Sequence, residues 1–454
     1  MEEKKTGLLK AWIDKIQGDK VVWMILALLI LFSIVSIFAS TSLLAIEQNT
    51  TRMAIFKEQL MVVGLGIGLV GICYILPSIW LIRVLSQIGF VVSFGLLVCL
   101  LGGLGSMEFN GAVRALKIGG AQLHVYEVVK VAMVMYLAWA VHTYKEGKFK
   151  LISFIAKRFP SISWVMRPVA QRFIYIFIPM MLVCAMVAMG SLSSAVFIGF
   201  VMLVTILIGG IEFKHLILPG VVAVIGAAGL VGLHELSPDK ILPRMETWKK
   251  RASGGRDYKK DVLTYKPSQK EFRDAIDKLR QPEGAKMAIK EGGIIGKGPG
   301  KSTQKYVVAV MFGDYMFSFI VEEYGLIGAI LVIMLYVSLL ARGSLIAKSC
   351  EGIFGKTAVA GLTILISGQA LFHMIINIDV GILTGQTLPL ISHGNSSFIC
   401  FCIAFGIILS ISKLAKSNME AMEIKPIVSS MEENVQSSLN ELDDFDSNNY
   451  NHEI

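Results

Sequence analysis

The chain has 454 residues, of which 54% are hydrophobic and only 17% charged, with a formal net charge of +9. A soluble domain carries about 25% charged residues, and here the shortfall is concentrated in long uncharged runs, which excludes a soluble fold. In such a chain the basic excess belongs first to topology and lipid headgroups, so no nucleic-acid partner is invoked.

A membrane span needs roughly 20 apolar residues. In chain order the expected spans are Val21–Leu44, Phe56–Leu76 closed by Pro77, Val84–Leu101, Val125–His142, Phe173–Met189, Ser193–Gly209, Leu216–Leu233, Tyr315–Ala341, Thr357–Ile378 and Ser397–Ile411. A tight polar turn at Gly190–Ser194 separates the fifth from the sixth. The expectation is an all-α polytopic membrane protein of about ten helices. Residues 1–20 form a charged amino-terminal segment before a signal-anchor helix, 21–413 the membrane domain, and 414–454 an acidic, disordered tail. Lys4, Lys5 and Lys10, then Lys145, Lys148 and Arg158, then Arg342, Lys348 and Lys356, and finally Lys413 and Lys416 all fall on one side if there are ten spans. That side, with both termini, is expected to be cytoplasmic. The large polar stretch 235–313 is then extracytoplasmic. Five of the six cysteines fall in apolar runs and Cys350 in a short basic connection, with no zinc-like or disulfide spacing.

Acidic groups within or at the mouth of a span are costly and mark function. Asp314, Glu322 and Glu323 gather around the start of the eighth span, with Glu322 two helical turns beyond Asp314. Asp314 suits a helix N-cap as well as a catalytic carboxylate at the membrane boundary. Glu127 and Lys130, at i and i+3, read as a structural ion pair or as the lining of a polar cavity. The glycine-rich stretch Gly292–Ser302 invites a phosphate-loop reading, but Ile295 stands where the Walker pattern needs glycine, so no nucleotide is expected. Such a loop can still wrap a lipid phosphate or pyrophosphate with its N–H groups, with charge from Lys297, Lys301 and Lys305. Thr384–Ser397 combines turn formers with small hydroxyls and reads as a re-entrant segment, tolerated only when buried in protein or lining a wet cavity.

These blocks, in this order, resemble the SEDS family of FtsW, RodA and SpoVE. The resemblance rests on Asn110-Gly111-Ala112-Val113-Arg114 leading to Glu127 and Lys130, on Gly293–Lys305, and on Asp314–Gly328 with its paired Glu322 and Glu323. Gln369 and Asn377, followed by Thr384–Ser397, complete it. The chain departs from the family pattern at His124-Val125-Tyr126, Ala115, Val308-Ala309-Val310, Asp379, His393 and Asn395. Asp379 stands where glycine is usual. The stretches Pro243–Trp248 and Ser392–Ser396 lean toward FtsW.

The resemblance implies a peptidoglycan glycosyltransferase that polymerises lipid II at the outer face of the bacterial inner membrane. It also implies a class B penicillin-binding protein as partner, alongside other division or elongation proteins. Asp314 is the implied catalytic residue. Arg114, Lys117, Arg244, Lys297, Lys301 and Lys305 are candidates to hold the pyrophosphate, together with a divalent metal such as magnesium or manganese. Glu127, Lys130, Ser302, Gln304, Glu322, Glu323, Ser392, Ser396 and Ser397 would line the cavity. The rival readings are a flippase for lipid-linked precursors and a non-catalytic scaffold of the cell-wall synthesis complex.

Overall fold

A computed structural model describes residues 17–75, 78–109, 112–118, 121–147, 149, 164–221, 262–264, 266, 269–380 and 385–416. The expected tail 414–454 lies almost wholly outside these residues, as do Arg244 and most of the seventh expected span.

The chain is an all-α polytopic membrane protein. The helices are α1 (Lys20–Ser40), α2 (Ser42–Glu47), α3 (Arg52–Ile75), α4 (Ile79–Leu101), α5 (Val125–Glu146), α6 (Pro168–Gly190), α7 (Leu192–Ile208), α8 (Lys270–Gly292), α9 (Met316–Ser349), α10 (Ile353–Asn377) and α11 (Asn395–Lys416). Among the described residues eight helices are long and apolar enough to cross a membrane, and α7 is a shorter apolar one. Large side chains such as Met61, Leu65, Ile72 and Val91 are exposed on α3 and α4, as a lipid-facing surface requires. The helices α5, α10 and α11 form the buried centre.

Local chemistry sets the helix boundaries. Asp19 accepts hydrogen bonds from the N–H groups of Val21 and Val22 and so caps α1. Ser78 caps α4 and Ser191 caps α7 in the same way, the latter at the expected polar turn. Asp19 also pairs with Arg342 of α9, and Lys413 lies over the Tyr74 ring, 5.1 Å from its centroid. These contacts define one end of the bundle. The opposite end holds the start of α9, the end of α10 and the start of α11.

Two features depart from a pure helix-and-loop reading. The connection after α4 folds as a three-stranded antiparallel sheet, β1 (Ser106–Phe109), β2 (Ala112–Ile118) and β3 (Ala121–His124), with Ile118 opposite Ala121. The sequence carries a hairpin signal there, Gly119-Gly120 between two short alternating runs. The large polar stretch 235–313 contains α8, which Pro282 and Gly284 argue against locally. Tertiary packing overrides that preference, burying Ala285 and Ala288.

The helix α9 is 34 residues long but is not continuous: Gly325 has φ 65° and ψ −164°. Such a break frees backbone groups that must find partners. The loop after α8 supplies them. Lys297 and Gly298 donate to the carbonyls of Glu322 and Glu323, both at 2.9 Å. Leu326 donates to Gly293 at 2.9 Å and Ile327 to Ile294 at 3.3 Å. The approach is so close that a Cβ on Gly325 would collide with the Ile294 carbonyl, and one on Gly296 with the Glu323 carbonyl. Both glycines also sit at positive φ.

Gly296→Ala and Gly325→Ala are each expected to destabilise the protein by about 2–5 kcal/mol, the sum of backbone strain and overpacking. Gly64, with open space around it, should tolerate alanine nearly neutrally. Thermal unfolding in detergent measures all three. A second expectation concerns Asp379, whose φ is 64° and whose carboxylate meets Lys286 of α8 at 2.6 Å. Positive φ is where a glycine is ordinarily favoured, yet the pair is half-exposed and worth at most about 1 kcal/mol. Asp379→Gly should therefore change stability by less than about 1 kcal/mol, with strain relief offsetting the lost pair, whereas Asp379→Ala keeps the strain and loses the pair. The Asp379 hydrogen bond outweighs burial and raises the Lys286 pKa. The pair's contribution is thus present below the ordinary lysine pKa and lost as pH rises through the raised one.

Candidate functional site

The site is built where backbone leaves helical form at one end of the bundle. Residues Gly385–Gly394 are non-helical and return into the protein between α10 and α11. Gln369, eight residues from the end of α10, reaches the segment, which places Thr387 about 12 Å along that helix. Non-helical backbone at such depth needs partners for its polar groups. Side chains provide many of them. His373 Nδ1 meets the Gln386 carbonyl at 2.7 Å, and Gln369 Nε2 donates to the Thr387 carbonyl at 2.9 Å. The Tyr336 hydroxyl donates to the Pro389 carbonyl. Ser33 donates to the Ile391 carbonyl at 3.4 Å, and the Leu388 N–H donates to Ser392 Oγ at 2.9 Å. The expected re-entrant segment is therefore present and buried in protein.

Beneath it lies Lys130, 2% exposed. Its ammonium donates to Glu127 Oε1 at 2.7 Å, Gln369 Oε1 at 2.6 Å and Gln386 Oε1 at 2.9 Å, so each of its three N–H donors has an acceptor. The network continues from Gln386 Nε2 to Ser194 Oγ at 2.8 Å and from Ser397 Oγ to Glu127 Oε2 at 3.2 Å. The ion pair anticipated from spacing is thus the hub of a five-element network linking α5, α7, α10, the re-entrant segment and α11. Ser396 bonds outward, accepting from the His124 N–H at 3.1 Å and donating to the Gln122 carbonyl at 2.9 Å, which ties the sheet to α11.

The second cluster is the loop Gly293–Lys305. Its N–H groups close around two carboxylates of the chain itself. Glu322 Oε1 accepts from the N–H groups of Thr303 at 2.8 Å and Gln304 at 3.2 Å, and from Lys297 Nζ at 2.7 Å. Ser302 Oγ donates to Glu322 Oε2, and the Ser302 N–H to Glu323 Oε1 at 3.3 Å. Lys305, also 2% exposed, donates to the Gly300 carbonyl at 2.7 Å and lies 3.9 Å from Glu323. Glu322 and Glu323 are fully buried. Lys297 pairs as well with Glu291. Burial alone would lower the Lys297 pKa, but the two carboxylates outweigh it and raise it. The hydrogen bond from Lys297 in turn holds Glu291 below the usual carboxylate range. In this loop Lys301 is the exposed cation.

Asp314 lies between the two clusters in sequence, half-buried in the turn before α9. That turn is gripped from two sides. Ser392 Oγ donates to the Gly313 carbonyl at 2.8 Å, and the His393 N–H to the Phe312 carbonyl at 2.9 Å. From α10, Asn377 Nδ2 donates to the Asp314 carbonyl at 3.0 Å. The N-cap position of α9 is Tyr315, and no side-chain cap comes from it. The first-turn N–H groups are met from α10 instead: Phe317 donates to His373 Nε2 at 3.3 Å and Ser318 to Asn377 Oδ1 at 3.1 Å. Burial pushes the neighbouring His393 imidazole below its ordinary pKa, with Glu58 opposing the shift.

Of the basic candidates on the sheet, Arg114 lies within β2 and Lys117 is exposed on the same strand. Hydropathy passed over Gln386, Ser194 and His373. The signal for His373 was available, since a histidine inside an apolar run is costly. Among the described residues no group of three or more His, Cys, Asp or Glu side chains is placed to hold a metal ion.

Lys130→Met should destabilise by about 3–5 kcal/mol, because it leaves Glu127, Gln369 and Gln386 buried without their donor. Adding Glu127→Gln should restore part of the loss, as read by unfolding of the single and double variants in detergent.

Comparison with known proteins places the chain. The family model FTSW_RODA_SPOVE, described as a cell cycle protein, matches residues 19–417. The stage V sporulation protein E of Bacillus subtilis strain 168 is 24% identical over 405 residues, covering 88% of this chain and 99% of that protein. The probable peptidoglycan glycosyltransferase FtsW of the same strain is 26% identical over 407 residues, covering 87% and 91%. The fold is shared with a chain of a peptidoglycan synthase complex that coordinates polymerization and crosslinking, at TM-score 0.57 and 21% identity, covering 87% and 98%. It is shared too with the rod shape determining protein RodA of Thermus thermophilus, at TM-score 0.53 and 19% identity, covering 88% and 98%. The family match spans nearly all of the described membrane domain and includes both clusters and the Asp314 turn, and on it the chain belongs to the FtsW/RodA/SpoVE family.

Proposed function

We propose that this protein is a peptidoglycan glycosyltransferase that polymerises lipid II at the outer face of the cytoplasmic membrane. The observation that carries the reading is the Asp314 turn. A carboxylate-bearing turn is held from two sides at one end of a membrane bundle, and the helix it precedes takes its capping bonds from elsewhere. Membership of the family and the relatives' description as probable peptidoglycan glycosyltransferases support it.

In this reaction Asp314 takes the proton from the 4-hydroxyl of the acceptor GlcNAc. The hydroxyl oxygen bonds to the anomeric carbon of the donor as the bond from that carbon to the pyrophosphate oxygen breaks, and the lipid pyrophosphate leaves with the electron pair. General-base help of this kind is worth about 10²–10⁴-fold. Negative charge grows on the leaving group, and cations aimed at it stabilise the transition state. Lys301 and Lys117 are exposed and available for this, with Arg114 and Arg244 as further candidates. Lys297, Lys305, Ser302, Gln304, Glu322 and Glu323 act one step back, holding the loop that presents Lys301. Ser392, Ser396 and Ser397 hold the re-entrant segment and the sheet around the site.

A polyprenyl tail needs an apolar berth within the membrane, one that reaches from this end toward the other. A cavity of about 240 Å³ lies between α3, α4, α5 and α11, lined by Cys73, Leu85, Val92, Val131, Met135 and Cys400. Orientation follows from the far end of the bundle, where Lys20, Arg342, Lys348, Lys413 and Lys416 collect; it is the cytoplasmic end by the positive-inside rule. Fold likeness to a chain of a synthase complex that couples polymerization with crosslinking supports a class B penicillin-binding partner for this chain as well.

Polymerisation of purified lipid II by the detergent-solubilised protein, with a class B partner that lacks a glycosyltransferase domain, tests the reading. Glycan product is expected from the wild type and a loss of at least about 10²-fold in Asp314→Asn. Equal product from both would remove Asp314 from the chemistry. No product from either, with the complex intact, would favour a lipid transporter or a scaffold.

A further inference from the structure

The turn that follows α8 carries apolar residues where a loop tip is ordinarily small and polar. The Gly296 N–H donates to the Gly292 carbonyl at 2.8 Å and closes the chain around Gly293, Ile294 and Ile295. Gly293 and Gly296 both have positive φ, which lets so tight a reversal form. Ile294 and Ile295 stand at its apex, 70% and 78% exposed.

The place of this tip is fixed by its bonds to α9. Leu326 and Ile327 donate to the carbonyls of Gly293 and Ile294, so the tip lies against the first turn beyond the break at Gly325. That turn opens the membrane-crossing part of α9. From Leu326 to Arg342, at the cytoplasmic end, a helix runs about 25 Å, against roughly 30 Å for the hydrocarbon of a bilayer. Leu326 therefore enters the hydrocarbon near its outer boundary. Leu326, Ile327, Ile330 and Leu331 are all exposed, and their i,i+4 spacing joins them into one strip. Ile294 and Ile295 extend that strip past the helix break and onto the loop. Single exposed apolar side chains are ordinary, but a continuous apolar surface marks contact with something apolar.

We propose that the Ile294–Ile295 tip is inserted into the outer leaflet, where the acyl chains of the surrounding phospholipids cover it. It continues the uncovered surface of a membrane-crossing helix and adds nothing polar to that surface. The rest of the same loop is polar. Lys301 is exposed, and the N–H groups of Ser302, Thr303 and Gln304 are taken by the Glu322 and Glu323 carboxylates. An apolar tip with a cation behind it is the pattern of an interfacial anchor. The tip sits among the chains and Lys301 stays at headgroup level. The anchor thereby ties the glycine-rich loop, and the break in α9 that the loop fills, to the plane of the bilayer. It is present whether or not the chain polymerises lipid II.

Depth measurement by electron paramagnetic resonance tests this. A nitroxide carried on a ketone-bearing amino acid at position 295 leaves the six native cysteines in place. The full chain is studied without a partner, in nanodiscs of phosphatidylethanolamine and phosphatidylglycerol. Relaxation by oxygen is expected to exceed relaxation by a water-soluble nickel chelate several-fold. The same label should behave so at Met61, exposed on α3, and in the opposite way at Lys290, exposed on α8. A label at 295 that meets the nickel chelate as freely as one at Lys290 overturns the proposal. Shielding from both reagents means that protein rather than lipid covers the tip, and overturns it as well. Should the labelled chain fail to fold, Ile295→Trp decides. The added fluorescence is expected to be quenched strongly by phospholipids brominated close to the headgroup and weakly by aqueous acrylamide, and the reverse order overturns the anchor.

Discussion

The constraint on which the site depends is that backbone buried in an apolar bundle must have its polar groups met. A helix meets its own, whereas the segment 385–394 and the break at Gly325 cannot. Many of the distinctive polar residues near the site answer one of these two needs. Gln369, His373, Ser33, Tyr336 and Ser392 partner the re-entrant segment. The backbone of Gly293–Gly298 partners the break in α9. The buried charges follow from the same logic. Lys130 and the Glu322–Glu323 pair sit where non-helical backbone and polar side chains already make the interior hospitable to them, and each is neutralised or hydrogen-bonded in place.

Rigidity at the site follows from this rather than from the apolar core. The turn that carries Asp314 touches the re-entrant segment through Ser392 and His393 and touches α10 through Asn377. The re-entrant segment in turn touches Lys130 through Gln386. A shift in any one of these polar partners is therefore transmitted to the turn through short, directional bonds. Slippery side-chain packing between the spans would not transmit it with the same fidelity.

Much of the fold was legible in the sequence because hydropathy reports spans directly. Val21–Leu44, Val125–His142 and Thr357–Ile378 overlay α1, α5 and α10 with boundaries moved by a few residues. The polar turn at Gly190–Ser194 and the re-entrant stretch were legible for the same reason, as interruptions of an apolar pattern. The small sheet is not marked by hydropathy, because its strands are short; only the Gly119-Gly120 turn signal points to it. Helix α8 was not legible, because Pro282 and Gly284 argue against it and only contact with the rest of the chain overrules them. At the site, the Glu127–Lys130 pair was visible from i,i+3 spacing. What spacing could not show is that Glu322 receives the glycine-rich loop, since that depends on the break at Gly325. Nor could it show that α10 caps α9, since such a cap exists only between helices.

The clasp between Asp19 and Arg342 joins residues 323 positions apart in the chain. At a synthesis rate of about 5–20 residues per second, some 15–65 s separate the emergence of the first from that of the second. Throughout that interval the first helix is in the membrane with its anionic cap but without the cation that completes it. The bonds from Val21 and Val22 to Asp19 are local and form at once, so the carboxylate is never bare. The arrival of Arg342 then works as a late fastener, closing the bundle only after most of the chain has been inserted. Biogenesis of this protein thus has a built-in order, with its first segment parked and its final lock supplied near the end of translation.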